Sequence, residues 1–192
     1  MKALVIGSGG REHCLAWKIA QSPIVDKVYV APGNAGSAQE PGVFNVNIAA
    51  MDFDALIEFA TKESIDLTVI GPEAPLVAGI VDVFALAGLK CFGPDSHGAM
   101  LEGSKSFSKN FLEKYKIPTG GYMVFEQADA ALVYLENKDP PFVIKADGLA
   151  AGKGVVIAQD LDEAEAVIRA MLIGNVLGGA GSRIVIEEFL EG

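Results

Sequence analysis

Short apolar runs alternate with longer segments of helical period along the first hundred residues. The apolar runs predict strands at residues 3–6, 28–31, 67–70 and 90–92. Their hydrophobic character is typical of strands that are buried on both faces of a parallel sheet. Asp52 stands just before an apolar helical stripe and is placed to cap that helix. The pattern therefore predicts a doubly wound α/β domain in which helices connect parallel strands.

The pattern changes after Ser104, which can cap a helix that continues to Lys114. Pro118 ends that helix, and Asp160 opens the last predicted helix with a capping-box-like sequence. A smaller α+β unit is predicted from the order of the remaining elements: strand 122–125, helix 128–137, strand 142–146, a glycine-rich loop, strand 155–158, a helix and strand 183–189.

Composition narrows the class of protein. The 192 residues are 51% hydrophobic, which is enough to form a packed core, and the net charge is -10 without a run of Lys and Arg. This charge disfavours nucleic acid as a partner. The opening apolar run is too short for a signal peptide or membrane span, so a cytoplasmic protein that acts on small molecules is expected. Cys14 and Cys91 are predicted to be reduced, buried thiols.

Three loops of the first domain follow predicted strand ends. Because parallel strands end at one edge of the sheet, the loops are expected to converge there on a ligand. The same Gly and Pro residues could instead serve only as turn formers. The candidate substrate-binding residues in these loops are Gly9, Gly10, Arg11, Glu12, Asn34, Gly36, Pro72 and Glu73.

The first of these loops is not a dinucleotide fingerprint. Glu12 stands where a third glycine would be needed, and no acidic residue ends the second strand. A nicotinamide-dependent dehydrogenase is therefore disfavoured, although it remains one alternative.

A loop of small residues between two predicted strands is the most informative segment. Lys145 lies on the first strand, and Gly148, Ala151, Gly152, Lys153 and Gly154 follow it. Small residues leave backbone N–H groups uncovered for phosphate oxygens, and the two lysines supply positive charge. It is not a Walker loop, because Gly154 follows Lys153 and the loop leads into a strand. The pattern predicts a flap over a triphosphate; the alternative is a purely structural glycine loop.

Two further segments are candidate nucleotide contacts. Lys105 lies in the first turn of its helix, where a cation opposes the helix dipole, so it indicates either a ligand or a solvated lysine near Glu102. The last predicted strand could hold adenine and ribose, or it could be a salt-bridged edge strand. Its candidate residues are Glu187, Glu188, Phe189 and Leu190.

Taken in order, these segments resemble the glycinamide ribonucleotide synthetase family of the ATP-grasp superfamily over the whole chain. The segments that carry the resemblance are Gly-Ser-Gly-Gly-Arg-Glu-His, Ala-Pro-Gly-Asn-Ala-Gly, Gly-Pro-Glu-Ala-Pro-Leu, Leu-Glu-Gly-Ser-Lys, Lys-Ala-Asp-Gly-Leu-Ala-Ala-Gly-Lys-Gly-Val and Glu-Glu-Phe-Leu.

The resemblance implies a domain organisation. It places a Rossmann-like pre-ATP-grasp domain with its linker helix at residues 1–122 and the small ATP-grasp lid at 123–190. Residues 191–192 would begin the larger ATP-grasp subdomain. A truncated or incomplete protein, inactive by itself, is therefore expected.

The resemblance also implies an activity. ATP would phosphorylate glycine to glycyl phosphate, which 5-phosphoribosylamine would attack to give glycinamide ribonucleotide, ADP and phosphate in purine synthesis. Lys105, Lys145 and the small-residue loop would hold the phosphates, and Mg2+ or Mn2+ ligands would lie beyond residue 192. A monomer is expected. The alternatives are another ATP-grasp carboxylate-amine ligase and a noncatalytic nucleotide-binding module.

Overall fold

The computed structural model describes residues 1–150 and 152–191. The chain forms two compact units, residues 1–99 and 100–192, which we call unit 1 and unit 2.

Unit 1 is a doubly wound α/β unit with a five-stranded parallel sheet. Its strand order is β3-β2-β1-β4-β5. The chain therefore adds β2 and β3 on one side of β1 and then adds β4 and β5 on the other side. The elements are β1 (Lys2–Gly7), α1 (Gly10–Ala20), β2 (Lys27–Pro32), β3 (Val43–Asn45), α2 (Phe53–Glu63), β4 (Leu67–Ile70), α3 (Glu73–Val77), α4 (Ile80–Leu86), β5 (Cys91–Phe92) and α5 (Ser96–Gly103), which continues into unit 2.

The central strands of unit 1 are buried on both faces, as their apolar sequence predicts. Leu4 and Ile6 point into one hydrophobic cluster, whereas Val5 belongs to the cluster on the opposite face. Asp52 caps α2 as predicted, since its carboxylate accepts a hydrogen bond from the Ala55 amide at 3.2 Å. Strand β3 was not predicted, because it is three residues long and exposes two of them.

Unit 2 is an α+β unit with a four-stranded antiparallel sheet in the order β6-β9-β7-β8. Its central and edge strands match the predicted ranges closely, although β9 is shorter than predicted. The elements are α6 (Lys105–Lys114), β6 (Tyr122–Phe125), α7 (Ala128–Leu135), β7 (Phe142–Ala146), β8 (Val155–Ala158), α8 (Leu161–Leu172) and β9 (Ile184–Glu187).

The two faces of this sheet have different roles. One face packs against α7 and α8 and forms the apolar core, which includes Ile144 and Ile186. On the other face, Lys145 lies opposite Val155 on one side and Val185 on the other. Residues directly opposite one another in a ladder point to the same face, so the charged side chains of β7 and β9 share the face that α7 and α8 leave free.

Helix α6 belongs to unit 2, although the sequence analysis grouped it with the first domain up to residue 122. Its first turn is bonded to the chain just after β7 of that unit, because the Lys105 amide donates to the Asp147 carbonyl and the Ser106 amide donates to the Asp147 carboxylate.

The two cysteines differ in exposure. Cys14 is exposed, contrary to the prediction that both thiols are buried, because it lies on an outward face of α1. Cys91 is partly buried, and burial raises the pKa of its thiol to about 11, so it is a neutral thiol at physiological pH. Within the described part of the chain, no helix is both long and apolar enough to cross a membrane.

Candidate functional site

The three predicted substrate loops meet at the carboxyl edge of the unit 1 sheet. They meet because β1 lies between β2 and β4, so the loops after these strands are neighbours. The Asn34 side chain donates to the Ser8 carbonyl at 2.9 Å, which joins the second loop to the first. Arg11 pairs with Glu73 at 3.1 Å, which joins the first loop to the third.

The buried side chain of Glu12 packs against the backbone of the first and third loops. Its side chain is only 4% exposed, and its Oε2 accepts a hydrogen bond from the Gly9 amide at 2.6 Å. A Cβ on Gly7 or Gly71 would lie 2.4 Å or 2.3 Å from Glu12 Cγ, so both glycines leave the room that this side chain fills. Glu12 therefore faces the loop backbones, and its predicted contact with a substrate does not follow from this geometry.

The second loop folds around its own asparagine. Asn34 Oδ1 accepts hydrogen bonds from the amides of Gly36 at 2.8 Å and Ser37 at 3.0 Å. His13 packs beneath Gly36, where an added Cβ would lie 2.6 Å from the imidazole, and its Nε2 is 2.8 Å from Glu40 Oε1. These contacts hold the loop close to the first turn of α1.

The third loop begins a short helix. Pro72 is the residue before α3, and Glu73 is its first residue. A hydrogen bond from its own backbone amide, reinforced by Arg11, lowers the pKa of the Glu73 carboxyl below its usual range. Glu73 is therefore ionised at neutral pH and can accept hydrogen bonds from hydroxyl or ammonium groups.

In unit 2, Lys145 lies beside a carboxylate at the end of the neighbouring strand. Glu187 Oε2 is 3.0 Å from Lys145 Nζ and also 3.0 Å from Lys109 Nζ of α6. The Glu187 side chain is 12% exposed, so this triplet is a largely buried charge cluster. Lys109 was not among the predicted site residues, because a lysine within a helix has no local sequence signal for such a contact.

Lys105 lies in the first turn of α6, next to the end of β7. Its ammonium donates to the Gly148 carbonyl at 3.3 Å. Burial lowers the pKa of Lys105 below its usual value; Asp147 raises the pKa, and the like charge of Lys145 lowers it. The two lysines are therefore close enough to repel each other, as is typical of a site for an anion.

Asp147 fixes the position of Lys105. Its carboxylate accepts hydrogen bonds from the Ser106 amide at 2.6 Å and the Ser104 hydroxyl at 3.0 Å, so it caps the first turn of α6. Arg183 Nη1 lies 3.9 Å from the same carboxylate. The sequence analysis missed Asp147, because its partners are 41 residues or more away in the chain.

The described residues of the predicted flap are hydrogen-bonded in this structure. Gly148 donates to the Ala180 carbonyl at 3.1 Å, and Lys153 donates to the Ala150 carbonyl at 2.9 Å across Gly152, whose φ is +80°. These two amides are therefore not free to bind phosphate in this conformation. Buried Gly154 continues the ladder by accepting a hydrogen bond from Ala146 at 2.7 Å, and the predicted contact at Ala151 lies outside the described residues.

The residue after β9 is hydrogen-bonded to the residue before β6. Glu188 donates its amide to the Gly121 carbonyl at 2.8 Å, and its Oε2 accepts from the Gly121 amide at 2.9 Å. Phe189 and Leu190 follow with exposed side chains. The predicted adenine contacts thus begin at a firmly bonded strand end.

An apolar strip lies beside the charged cluster. Val155 and Ile157 of the edge strand β8 point to the same face as Lys145 and expose about half of their surfaces, at 47% and 45%. An exposed apolar strip next to paired charges suits a flat ring that carries a phosphate chain. Sequence reasoning did not single out these two residues.

Comparison with known proteins identifies the family. The profile described as "Phosphoribosylglycinamide synthetase, N domain" matches residues 1–102, and the profile "Phosphoribosylglycinamide synthetase, ATP-grasp (A) domain" matches residues 103–192. The chain belongs to the phosphoribosylglycinamide synthetase family. This membership confirms the resemblance that the sequence motifs carry.

Curated relatives agree with this family over the whole chain. Phosphoribosylamine–glycine ligase of Escherichia coli (strain K12) is 62% identical over 192 residues, which are 100% of this chain and 45% of the relative. The ligase of Haemophilus influenzae is 61% identical over the same span. The chain thus spans about 45% of the length of these relatives.

Solved structures support the fold. The crystal structure of phosphoribosylamine–glycine ligase from Thermotoga maritima matches with a TM-score of 0.78 and 32% identity, over 100% of this chain and 44% of that one. The biotin carboxylase domain of Hydrogenobacter thermophilus 2-oxoglutarate carboxylase, solved with MgADP, matches with a TM-score of 0.76 and 15% identity over 99% of this chain and 44% of that one. This second likeness shows the fold alone.

In this member of the phosphoribosylglycinamide synthetase family, the pKa of Lys105 depends on the charges of Asp147 and Lys145. Replacing Lys145 with methionine is expected to raise that pKa, because a repelling positive charge is lost, whereas Asp147→Asn is expected to lower it. NMR titration of labelled lysine side chains measures both shifts. Anion affinity should fall as pH rises through this pKa, so the fall should move to higher pH in Lys145→Met. Unchanged pKa values in both variants would contradict the arrangement.

Proposed function

We propose that the protein containing this chain is a ligase that joins free glycine to 5-phosphoribosylamine at the expense of ATP. The observation that carries the proposal is the placement of two lysines around the small-residue loop in a chain of this family. Lys105 donates to the Gly148 carbonyl of that loop, and Lys145 lies on β7 opposite exposed Val155. The curated relatives at 61–62% identity are named as ligases of this kind.

The triphosphate belongs in unit 2. Lys105 and Lys145 would neutralise its oxygens, and the loop that includes Gly152, Lys153 and Gly154 would close over them. Adenine would lie against Val155 and Ile157, near the strand end formed by Glu187 and Glu188. Binding would require this loop to open and release its engaged amides, because Gly148 and Lys153 already donate to carbonyl oxygens.

The ribosylamine belongs at the carboxyl edge of unit 1. Gly9 and Gly10 are at the start of α1, where an added Cβ on Gly10 would meet no atom within 4 Å. This open helix N-terminus suits a phosphate group. Glu73 and Asn34 would accept or donate hydrogen bonds to hydroxyl groups, and Arg11 could exchange its partner Glu73 for the anion.

The chemistry has two steps. A carboxylate oxygen of free glycine attacks the γ-phosphorus of ATP, the bond to the bridging oxygen breaks, and ADP leaves. The amine nitrogen of the ribosylamine then attacks the carbonyl carbon of glycyl phosphate, loses a proton, and releases phosphate as the C–O bond breaks. The lysines stabilise charge on the transferring phosphoryl group, and a closed loop would exclude water from the acyl phosphate.

A divalent cation would supply positive charge that neutralises part of the phosphate charge in such a reaction. Residues 1–150 and 152–191 contain no group of three or more His, Cys, Asp or Glu that could hold one. We therefore assign no residue of this chain to a metal site.

The proposal is tested on a polypeptide that contains this chain and has the full length of the relatives. ADP release should require both free glycine and 5-phosphoribosylamine, and mass spectrometry should detect glycinamide ribonucleotide. Release of ADP with bicarbonate or another carboxylate in place of glycine would instead support a different ATP-grasp ligase. A change in NADH fluorescence on binding would support the dehydrogenase alternative.

A further inference from the structure

Lys109 has no part in the reaction described above, yet its ammonium is fully engaged. It donates to Thr119 Oγ1 at 2.8 Å and to the Gly120 carbonyl at 3.3 Å, and it pairs with Glu187 Oε2 at 3.0 Å. Its Nζ also lies 5.5 Å from the ring centroid of Tyr122. An ammonium has three donors, so these partners account for all of them.

The same oxygen of Glu187 also accepts Lys145, but the two lysines differ in burial. The Lys109 side chain is 11% exposed and held by the turn before β6. The Lys145 side chain is 26% exposed and lies opposite Val155 of the edge strand β8, which is 47% exposed. Lys145 is therefore free to turn toward an anion, and Lys109 is not.

If Lys145 leaves, the Glu187 carboxylate needs another partner. A largely buried charge without a partner is unfavourable, so a lone Glu187 would hold Lys145 back from an incoming phosphate. With Lys109 in place, Glu187 stays paired whether or not Lys145 turns away.

We propose that Lys109 is a positioning residue of the nucleotide site: by keeping Glu187 neutralised, it makes Lys145 available to the triphosphate. This inference rests on the proposed function, because it takes an ATP-like triphosphate as the ligand. Lys109 itself does not touch the nucleotide.

The test measures the dissociation constant of the ATP analogue AMP-PNP with Mg2+ by calorimetry, on the polypeptide of full relative length. Lys109→Met is expected to weaken binding about tenfold, because Glu187 then holds Lys145 as its remaining cation. Adding Glu187→Gln in the Lys109→Met background should restore most of the affinity, since a neutral amide does not compete for Lys145.

Two single variants complete the set. Lys109→Arg keeps a cation beside Glu187 and should bind the analogue within about threefold of the parent protein, which keeps the test decisive if Lys109→Met does not fold. Lys114→Met makes the same change at an exposed position of the same helix and should leave binding unaltered.

The outcomes separate the two proposals. A double variant as weak as Lys109→Met, or a Lys109→Arg variant that binds about tenfold more weakly than the parent, would show that the charge of residue 109 does not matter and overturn the role of Lys109. If the parent protein does not bind the analogue, the proposed function itself fails.

Discussion

Replacing Lys145 with methionine is expected to lower kcat/KM for glycinamide ribonucleotide formation by about 10²- to 10³-fold. Lys145 is the cation on the sheet face that can exchange its carboxylate partner for a phosphate, because Lys109 remains paired with that carboxylate. Methionine has a similar length and no charge, so the variant removes the electrostatic contribution while retaining most of the packing.

The measurement is the steady-state rate of ADP release at varied ATP on the full-length polypeptide. Lys138→Met provides the matched control, since Lys138 is an exposed lysine of unit 2 whose ammonium lies over the Tyr134 ring. Its rate should equal that of the parent. A Lys145→Met variant with a rate within threefold of the control would mean that the phosphates bind elsewhere, and it would refute the assignment of the unit 2 face.

Replacing Gly71 with alanine is expected to lower the unfolding free energy of unit 1 by about 1–3 kcal/mol. The new Cβ would lie 2.3 Å from both Cγ and Oε1 of Glu12. Glu12 has little room to move away, because it is buried against Gly7 on its other side and its Oε2 is bonded to the Gly9 amide. The conflict is one of packing, since Gly71 has no positive φ.

Chemical denaturation followed by the fluorescence of Trp17, the one tryptophan of the chain, reports on unit 1. Gly71→Ala should lower the unfolding free energy only slightly when it is introduced into the Glu12→Ala variant. This non-additivity is what a double-mutant cycle shows for two residues in contact. Gly10→Ala is the control, because a Cβ there meets no atom within 4 Å. Equal costs of Gly71→Ala with and without Glu12 would disprove this packing argument.

Much of the fold could be predicted from hydrophobic pattern alone. Strands such as β4 and β7 are short, strongly apolar and bounded by turn residues, so their ranges match the structure. Asp52 and Asp160 each cap a helix by accepting a hydrogen bond from the amide three residues later. Because cap and amide are close in the chain, the sequence pattern is enough to predict them. Strand β3 escaped prediction because its pairing with β2, rather than its own pattern, makes it a strand.

The candidate site was predicted less completely than the fold. The sequence analysis placed Lys105 and Lys145 in one phosphate site, and in the structure the Lys105 ammonium donates to the Gly148 carbonyl, three residues after Lys145. It also treated the small-residue loop as a row of bare amides, whereas Gly148 and Lys153 donate to carbonyls. Whether a backbone amide is free depends on where the chain folds back, and composition does not contain that information.

Sequence by itself determined which side chains are candidates for binding and on which element each one lies. It did so because the periodicity of strands and helices and the preferences of turn residues depend on only a few neighbouring residues. Tertiary structure alone decided their partners. The pairing of Lys109 with Glu187 spans two elements far apart in the chain, and the burial of Glu12 depends on glycines in two different loops. Such contacts arise only when strands pair and helices pack. They distinguish a residue that would touch the substrate from a residue that holds another side chain in place.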